Sequence, residues 1–576
     1  MIVDSRPVAP GRSTEQLEGK RLKGAQILCE CLLREGVEVI FGVPGGVVLP
    51  LYDVLMDYPI HHVLVRHEQA AAFAADGYAR ATGKVGVCLA TSGPGATNLV
   101  TGIASAQMDS SGIVAITGQV PSGVLGKDAF QETDITGITL PITKHNYLIA
   151  KADEIAQTVR NAFHLAATGR RGPVLIDVTR DAFTAETVFQ YPKGAHIRGY
   201  RPTLFGNIRQ VRQAAELIRR AHRPLIIAGH GVILSAAYDE LRRFAELVDI
   251  PVTTTLLGLS CFPESHRLSF GMVGMHGMAY ANMAINTTDL LIAIGMRFDD
   301  RVTGKTAEFA PHAQIIHIDI DPAEIGKNVR ADVPIVGDVK NVLDQLLREL
   351  QPLAHDEWVD QIAAWREKHP ATLIRETDRL LPQHVVRKIY EITRGEAIVV
   401  ADVGQNQMWA AQHYWYDKPN TYMTSGGLGS MGFALPASVG AKIGRPDDIV
   451  WCITGDGGFQ MNLQELATIA QERLPIKVAI LNNGYLGMVR QWQELFYRRR
   501  YSGSVISGPD IVKLAEAYGL TGLRVACKEE IEPALRYAME CQEGVLIDFA
   551  VEPEECVYPM IPPGGTVADL IESPAG

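Results

Sequence analysis

Ile449-Val450-Trp451-Cys452-Ile453-Thr454-Gly455-Asp456-Gly457-Gly458 runs from an unbroken apolar stretch into a glycine-rich turn. A second apolar stretch, Val478 to Leu481, ends in Asn482-Asn483. Neither alternates polar with apolar residues, as a strand with one wet face would, so both read as strands of a parallel sheet covered on both sides. Glycine lets the main chain come close to a phosphate, and Asp456 and Asn483 carry hard oxygen atoms of the kind that hold a divalent ion. Alone, Gly-Asp-Gly is an ordinary tight turn. Two successive strands, each followed by an oxygen-bearing side chain, could hold an ion that bridges to a diphosphate; the alternative is a tight turn beside an ordinary Asn-Asn-Gly loop.

Working outward, the same grammar recurs along the chain. Val85 to Ala90, Ile113 to Thr117, Leu225 to Ala228, Leu290 to Gly295, Ile315 to Ile320 and Ile398 to Val403 are apolar runs that enter a glycine-containing turn and then a helical pattern. They gather into three clusters, 20–190, 200–350 and 380–555. The first two are separated by the loop-like Tyr191 to Pro202, and the last two by a polar helical connector with Trp358 and Trp365. The expected fold is α/β, with three doubly wound parallel-sheet domains whose ligands sit at the C-terminal ends of strands. Residues 1–19 read as a tail and 556–576, with Pro562, Pro563, Gly564 and Gly565, as an arm.

The totals agree with this. A chain of 576 residues needs several cores at about 150 residues each. With 47% apolar and 21% charged residues it is neither disordered nor low in complexity. A net charge of −11, with only Arg498-Arg499-Arg500 as a basic run, argues against nucleic acid. The cysteines lack zinc or disulfide spacing, and Cys88 and Cys452 lie inside strand-like runs as small hydrophobes. No apolar run approaches the ~18 residues of a membrane span, and the polar start lacks a secretory core. The expectation is a cytoplasmic protein without membrane contact.

Glu68 is the second chemical signal. It stands where Val63 to Val65 gives way to an alanine-rich helix ending near Gly83. An acid there suits a helix N-terminus, but a carboxylate in apolar surroundings is costly without a partner.

With these two signals in place, further motifs resemble the acetohydroxyacid (acetolactate) synthase family of thiamine-diphosphate enzymes over nearly the whole chain. They are Phe41-Gly42-Val43-Pro44-Gly45-Gly46, the Glu68 segment, Thr91 to Asn98, Thr117 to Pro121 and Asp128-Ala129-Phe130-Gln131-Glu132. In the middle come Gly274-Met275-His276-Gly277, Arg297 to Gly304 and His317 to Pro322, and towards the end Gly427 to Gly432 and Gly487-Met488-Val489-Arg490-Gln491-Trp492-Gln493.

The resemblance implies pyruvate decarboxylation on thiamine diphosphate. The two-carbon fragment then condenses with pyruvate or 2-oxobutyrate to give 2-acetolactate or 2-aceto-2-hydroxybutyrate, in branched-chain amino-acid biosynthesis. It implies a pyrimidine-binding domain at 20–190, a central domain at 200–350 binding a structural FAD, and a diphosphate-binding domain at 380–555. Glu68 would share a proton with N1′ of the aminopyrimidine and so activate the cofactor, with Phe130, Gln131 and Arg180 beside the reaction. Asp456, Asn483 and Tyr485 would hold Mg2+. Val403, Gly404, Gln405, Asn406, Gly429, Met431, Gly455, Gly457, Gly458, Gly487 and Met488 would line the thiamine cofactor, Met431 bending it into its V shape. Arg170, Gly229, Gly231, Thr255, Leu256, Met275, His276, Gly277, Arg297, Asp319, Ile320 and Asp338 would line the flavin. Arg301, Trp492 and Met275 would take the second substrate, Arg301 by its carboxylate and Trp492 by its alkyl group. Glu68 and Asp456 would meet across a subunit interface in a homodimer or homotetramer, with a separate regulatory subunit.

Two departures stand out. The family usually has Gly-Gln-His-Gln where this chain reads Gly404-Gln405-Asn406-Gln407, and Pro-Lys-Asp where it reads Thr179-Arg180-Asp181. Asn cannot become cationic, and Arg keeps the charge with a different geometry. A flavin-dependent pyruvate oxidase shares the same plan, but Trp492 and the Arg297 to Gly304 segment speak against it. A glyoxylate carboligase lacks the activating acid. A non-catalytic relative would have lost Glu68, Asp456 or Asn483, and all three are present.

Overall fold

The buried apolar runs do form parallel sheets. The structure, a computed structural model, describes residues 17–573, so most of the expected N-terminal tail and the last three residues of the arm lie outside the described residues. The first six-stranded sheet consists of β1 (Val39–Gly42), β2 (His61–Leu64), β3 (Gly86–Ala90), β4 (Ile113–Gln119), β5 (His145–Ile149) and β6 (Val174–Thr179). The second is β7 (Pro224–Ala228), β8 (Val252–Thr254), β9 (Ser269–Met272), β10 (Leu290–Ile294), β11 (Gln314–Asp319) and β12 (Val333–Val336). The third is β13 (Ile398–Ala401), β14 (Tyr422–Thr424), β15 (Val450–Gly455), β16 (Lys477–Asn482), β17 (Thr521–Val525) and β18 (Val545–Ala550).

Every pairing within these three sheets is parallel, so the strands are joined by crossovers, most of which lay a helix over a face, and the central strands are buried on both sides. The expected α/β class with three doubly wound sheets is borne out. The first sheet runs β2-β1-β3-β4-β6-β5 and the third β14-β13-β15-β16-β18-β17, the same order twice. The second runs β9-β8-β7-β10-β11-β12. In such sheets the crossover direction reverses beside the first strand, and the gap left there at the carboxyl ends is where ligands bind. In the third sheet that gap lies between β13 and β15, the strands followed at once by Asp402 and Asp456.

The chain sorts into two compact units, one running to Tyr200 with Gly427–Asp447 and Asn462–Ile476, the other holding the rest. In the first unit, helix α1 (Glu68–Thr82) crosses α3 (Ala434–Gly444) with the backbones touching. A Cβ added at Gly440 would fall 1.8 Å from the carbonyl oxygen of Ala74, and one at Gly77 2.1 Å from that of Ala437. Only glycine allows that approach. Buried between the same elements, Arg80 Nε donates to Asp76 at 2.7 Å and Nη2 to Asp109 at 2.8 Å, while Asp109 Oδ1 accepts from the main-chain N–H of Gly427 at 2.6 Å. In the second unit the polar connector is a helix, Asp356–Lys368, whose Trp358 is buried in the core of the second sheet and donates to the carbonyl of Pro224 at 2.9 Å. No helix among the described residues is long and apolar enough to cross a membrane.

Candidate active site

The third sheet gathers the cradle. After β13, Asp402 accepts from the N–H of Val403 at 2.8 Å, which ends the strand and turns the chain into Gly404. Gly404 has φ 133°, closed to other residues, and opens helix α2 (Gln405–His413). After β15, Asp456 begins the next helical turn, and Asp456 Oδ2 accepts from the N–H of Gly484 at 3.1 Å. The two halves of the fingerprint are thus joined. Asn483 Oδ1 accepts from the Tyr485 N–H at 3.1 Å, and Asn483 Nδ2 donates to Gln405 Oε1 at 3.2 Å. Gly487 opens helix α5 (Gly487–Phe496) against Gln405, where a Cβ would meet Oε1 at 2.0 Å.

A divalent ion fits here on the chemistry of the donors. Asp456 Oδ1 is buried without a hydrogen-bond partner. Burial pushes its carboxyl up to about 6, against the pull of the N–H groups of Asp456, Gly484 and Gly457. A cation would remove that cost. Among the described residues no group of three or more His, Cys, Asp or Glu side chains could hold a metal, which leaves one carboxylate, one amide and main-chain oxygens as the set. Asn406, at the first departure, uses its amide N–H groups internally, on the carbonyls of Asp402 at 2.8 Å and Ile453 at 3.3 Å. Its oxygen therefore faces Gly404 and Gly455.

In the first unit Glu68 starts α1 after the three residues that follow β2, half-buried, and its Oε2 accepts from Asn98 Nδ2 at 2.9 Å. Beside it, a Cβ on Gly95 would lie 3.4 Å from Glu68 Oε1. Gln131, at φ 61°, packs its main chain against Gly93, whereas Phe130 at the tip of the β4–β5 loop is 89% exposed. Arg180 follows β6 as the first, exposed residue of a short helix. Gly429 and Met431 also fall in this unit, with the segment tied to Asp109.

In the second unit, nearly all the flavin candidates stand at carboxyl ends of the second sheet: Gly229 and Gly231 after β7, Thr255 and Leu256 after β8, Met275 to Gly277 after β9, Arg297 after β10, Asp319 and Ile320 at β11, Asp338 after β12. Gly229 and Gly231 press on Gly295 at the crossover gap, where a Cβ would come within 2.4 and 2.6 Å of its atoms. Burial lowers the His276 imidazole to about 4, and its Nδ1 is buried without a partner. Asp338 accepts from Ser235 Oγ at 2.8 Å. Arg170 belongs to the first unit, its Nε donating to Ser110 Oγ at 3.0 Å. The ion pairs of Arg297 with Asp299, 3.8 Å, and Arg301 with Asp300, 3.4 Å, are open to water and contribute little.

The three acceptor candidates are brought together. The Arg301 guanidinium lies 5.8 Å from the centroid of the Trp492 ring, and the main-chain oxygen of Arg301 accepts from the N–H of Met275 at 2.8 Å. Arg301 and Met275 line one cleft with Ile561 and Pro562 of the C-terminal arm, which is anchored by the buried Val557 and Met560. Gln491 fastens that arm, accepting from the N–H of Val557 at 2.8 Å and donating to its carbonyl at 3.0 Å.

Comparison with known proteins agrees with this geometry. The families described as the thiamine pyrophosphate enzyme N-terminal TPP binding domain, central domain and C-terminal TPP binding domain match residues 22–138, 211–346 and 402–549. The chain is 51% identical to the acetolactate synthase large subunit of Mycobacterium tuberculosis, covering 97% of this chain and 92% of that one. The chain belongs to the acetolactate synthase family. The large subunit of Corynebacterium glutamicum is 50% identical over 96% of this chain and 90% of its own. So is a protein of Methanocaldococcus jannaschii named a probable acetolactate synthase large subunit, over 96% and 95%. As a member of this family the chain is a thiamine-diphosphate enzyme.

Two contributors escaped the sequence reading. Asn98, the donor to Glu68, closes a motif noted only as a whole, and its spacing from Glu68 carried no signal. Glu465, whose carboxylate accepts from the N–H groups of Arg66 and His67, sits beside a short helix whose sequence carries no sign of it.

Proposed function

We propose that the chain joins two 2-oxoacids with loss of CO2: pyruvate is the donor, and pyruvate or 2-oxobutyrate the acceptor. The products are 2-acetolactate and 2-aceto-2-hydroxybutyrate, precursors in branched-chain amino-acid biosynthesis. The observation that carries this reading is the joining of Asp456 to the Asn483 loop at the crossover gap of the third sheet, in a chain half identical to acetolactate synthases from end to end.

Thiamine diphosphate, when bound, supplies the electron sink that lets the carboxylate leave as CO2. Asp456, Asn483 and Tyr485 would hold Mg2+, and the turns at 403–406 and 455–458, with Gly487 and Met488, would receive the diphosphate. Gly429 and Met431 would offer a glycine turn and an apolar side chain to the rings of the cofactor. Glu68 takes and returns a proton at its carboxylate, the Asn98 amide fixing its orientation. Phe130, Gln131 and Arg180 border the reacting atoms and exclude water. Arg301 binds the acceptor carboxylate by a charge-assisted contact, while Trp492 and Met275 shape the room for its alkyl group. FAD would be held at the carboxyl edge of the second sheet by Gly229, Gly231, Thr255, Leu256, Met275, His276, Gly277, Arg297, Asp319, Ile320 and Asp338, and would serve structure rather than electron transfer.

The domains are a pyrimidine-binding region at 20–190, a central one at 200–350 and a diphosphate-binding one at 380–555. The assembly is a homodimer or homotetramer in which Glu68 of one chain serves the cofactor held by Asp456 of another. Because relatives are named large subunits, a separate regulatory subunit completes the enzyme, in the cytoplasm.

The test is to supply purified protein with pyruvate, thiamine diphosphate, Mg2+ and FAD, with and without 2-oxobutyrate, and to identify products. Acetolactate without oxygen uptake is expected. Oxygen uptake with acetate-level products would turn the reading to a pyruvate oxidase.

A further inference from the structure

The turn that presents Glu68 is gripped by a buried carboxylate that the reaction does not use. Between the last residue of β2, Leu64, and the first of α1, Glu68, the main chain leaves the strand ladder before the helix begins. The N–H groups of Arg66 and His67 in that gap therefore need outside acceptors. Glu465, 1% exposed at the start of helix α4 (Leu466–Gln471), supplies them. Its Oε1 accepts from Arg66 N at 3.0 Å and His67 N at 3.2 Å, and its Oε2 from Arg66 N at 3.2 Å and Thr468 Oγ1 at 2.7 Å. The rest of α4 adds to the hold. Thr468 Oγ1 lies 3.3 Å from the Leu64 carbonyl, and Gln471 Oε1 accepts from Arg66 Nη2 at 2.8 Å.

An acid on a short helix normally faces water. This one does not: burial pushes its pKa up, and the hydrogen bonds from Thr468, Arg66 and His67 pull it back. Charge-assisted bonds to main-chain N–H groups are stiff and directional. Their targets are the two residues immediately before Glu68, so a shift at Glu465 passes straight to the start of α1.

We propose that Glu465 is a positioning residue for Glu68, locking the 66–67 main chain so that the Glu68 carboxylate keeps one approach to the pyrimidine ring. This rests on the role given to Glu68 above. The amide of Glu465→Gln keeps the shape but weakens the charge-assisted bonds, and displacement of a proton-transferring group by about 1 Å can cost about a hundredfold in rate.

The experiment uses the full chain with thiamine diphosphate, Mg2+ and FAD but no pyruvate. It measures hydrogen–deuterium exchange at the cofactor C2 by rapid quench and NMR, alongside cofactor Kd by calorimetry and Tm. For Glu465→Gln, exchange should slow by about tenfold to a hundredfold, with Kd within about threefold and Tm within about 2 °C of the parent. Exchange at the parental rate overturns the proposal, as does a loss of exchange only in step with Kd and Tm. Should Glu465→Gln fail to fold, Thr468→Val, which removes a single bond to Glu465, should slow exchange several-fold at unchanged Tm, and parental exchange there overturns it equally. Glu68→Gln run in parallel separates the two ideas: if that variant exchanges at the parental rate, the role of Glu68 itself fails.

Discussion

Replacing Arg80 with leucine should unlock the first unit, and the size of the effect can be worked from the triad. The side chains of Asp76 and Asp109 are 0% exposed and that of Arg80 4%, so one guanidinium neutralises two carboxylates that have no water to turn to. Burial opposes the Arg80 charge, but Asp76 and Asp109 more than offset it; burial also pushes Asp109 up while Arg80 draws it down. The guanidinium lies 5.4 Å from the centroid of the Phe433 ring as well. Leucine fills much of the space yet leaves two buried acids facing each other, and orphaning a buried charge costs about 3–5 kcal/mol. At roughly 2–4 °C per kcal/mol for a unit of this size, Arg80→Leu should lower Tm by roughly 6–20 °C. The loss should grow with pH. Burial already holds the Asp109 carboxyl above its ordinary value, and losing the cation that draws it down raises it further, so stability falls as pH rises above the unfolded value of about 3.9. Differential scanning calorimetry at low and neutral pH checks both points. A variant melting within about 2 °C of the parent at neutral pH would refute the reasoning, because it would mean that water or rearrangement satisfies Asp76 and Asp109 without Arg80.

Asp177 supplies a second pH test. Burial pushes its carboxyl up to about 7, against hydrogen bonds from Thr117 and Gln119, so below about pH 7 it is held neutral in the fold while the unfolded chain ionises above about 3.9. Its contribution to stability should therefore fall by roughly 1.4 kcal/mol per pH unit between about 4 and 7, and Asp177→Asn should flatten that part of the Tm–pH curve; an unchanged slope would clear Asp177 of it. Trp492→Leu should lower the preference for 2-oxobutyrate over pyruvate by about tenfold or more, since one methylene on a broad apolar face is worth about 1–3 kcal/mol. Product ratios from mixed substrates read this directly, and an unchanged ratio would remove Trp492 from the acceptor site.

The sheets were legible because strands buried on both faces write themselves as runs of valine and isoleucine. Their limits were less so. Ile398 to Val403 was expected as one strand, yet it stops at Ala401 because the Asp402 carboxylate takes the Val403 N–H from the ladder. The edge strands β5 and β17, half-exposed and mixed in composition, gave no comparable run. The fingerprint at Asp456 and Asn483 was legible because its spacing relative to two strands is local. The crossing of α1 on α3 was not, since only coordinates bring Gly77 against Ala437. Glu465 was hidden for a related reason: in sequence, a glutamate on a short helix is indistinguishable from one in solvent, and its targets are main-chain groups that no residue type announces.

The account rests on one cofactor being served by the acid at 68 and the metal site at 456. A crystal structure of the enzyme with thiamine diphosphate and Mg2+ tests this most directly. The account predicts the Glu68 carboxylate within hydrogen-bond reach of N1′ of the pyrimidine, with the ion on Asp456 and Asn483 against the diphosphate. A pyrimidine ring with no carboxylate beside it, or a diphosphate bound away from the turn at 455–458, would contradict it.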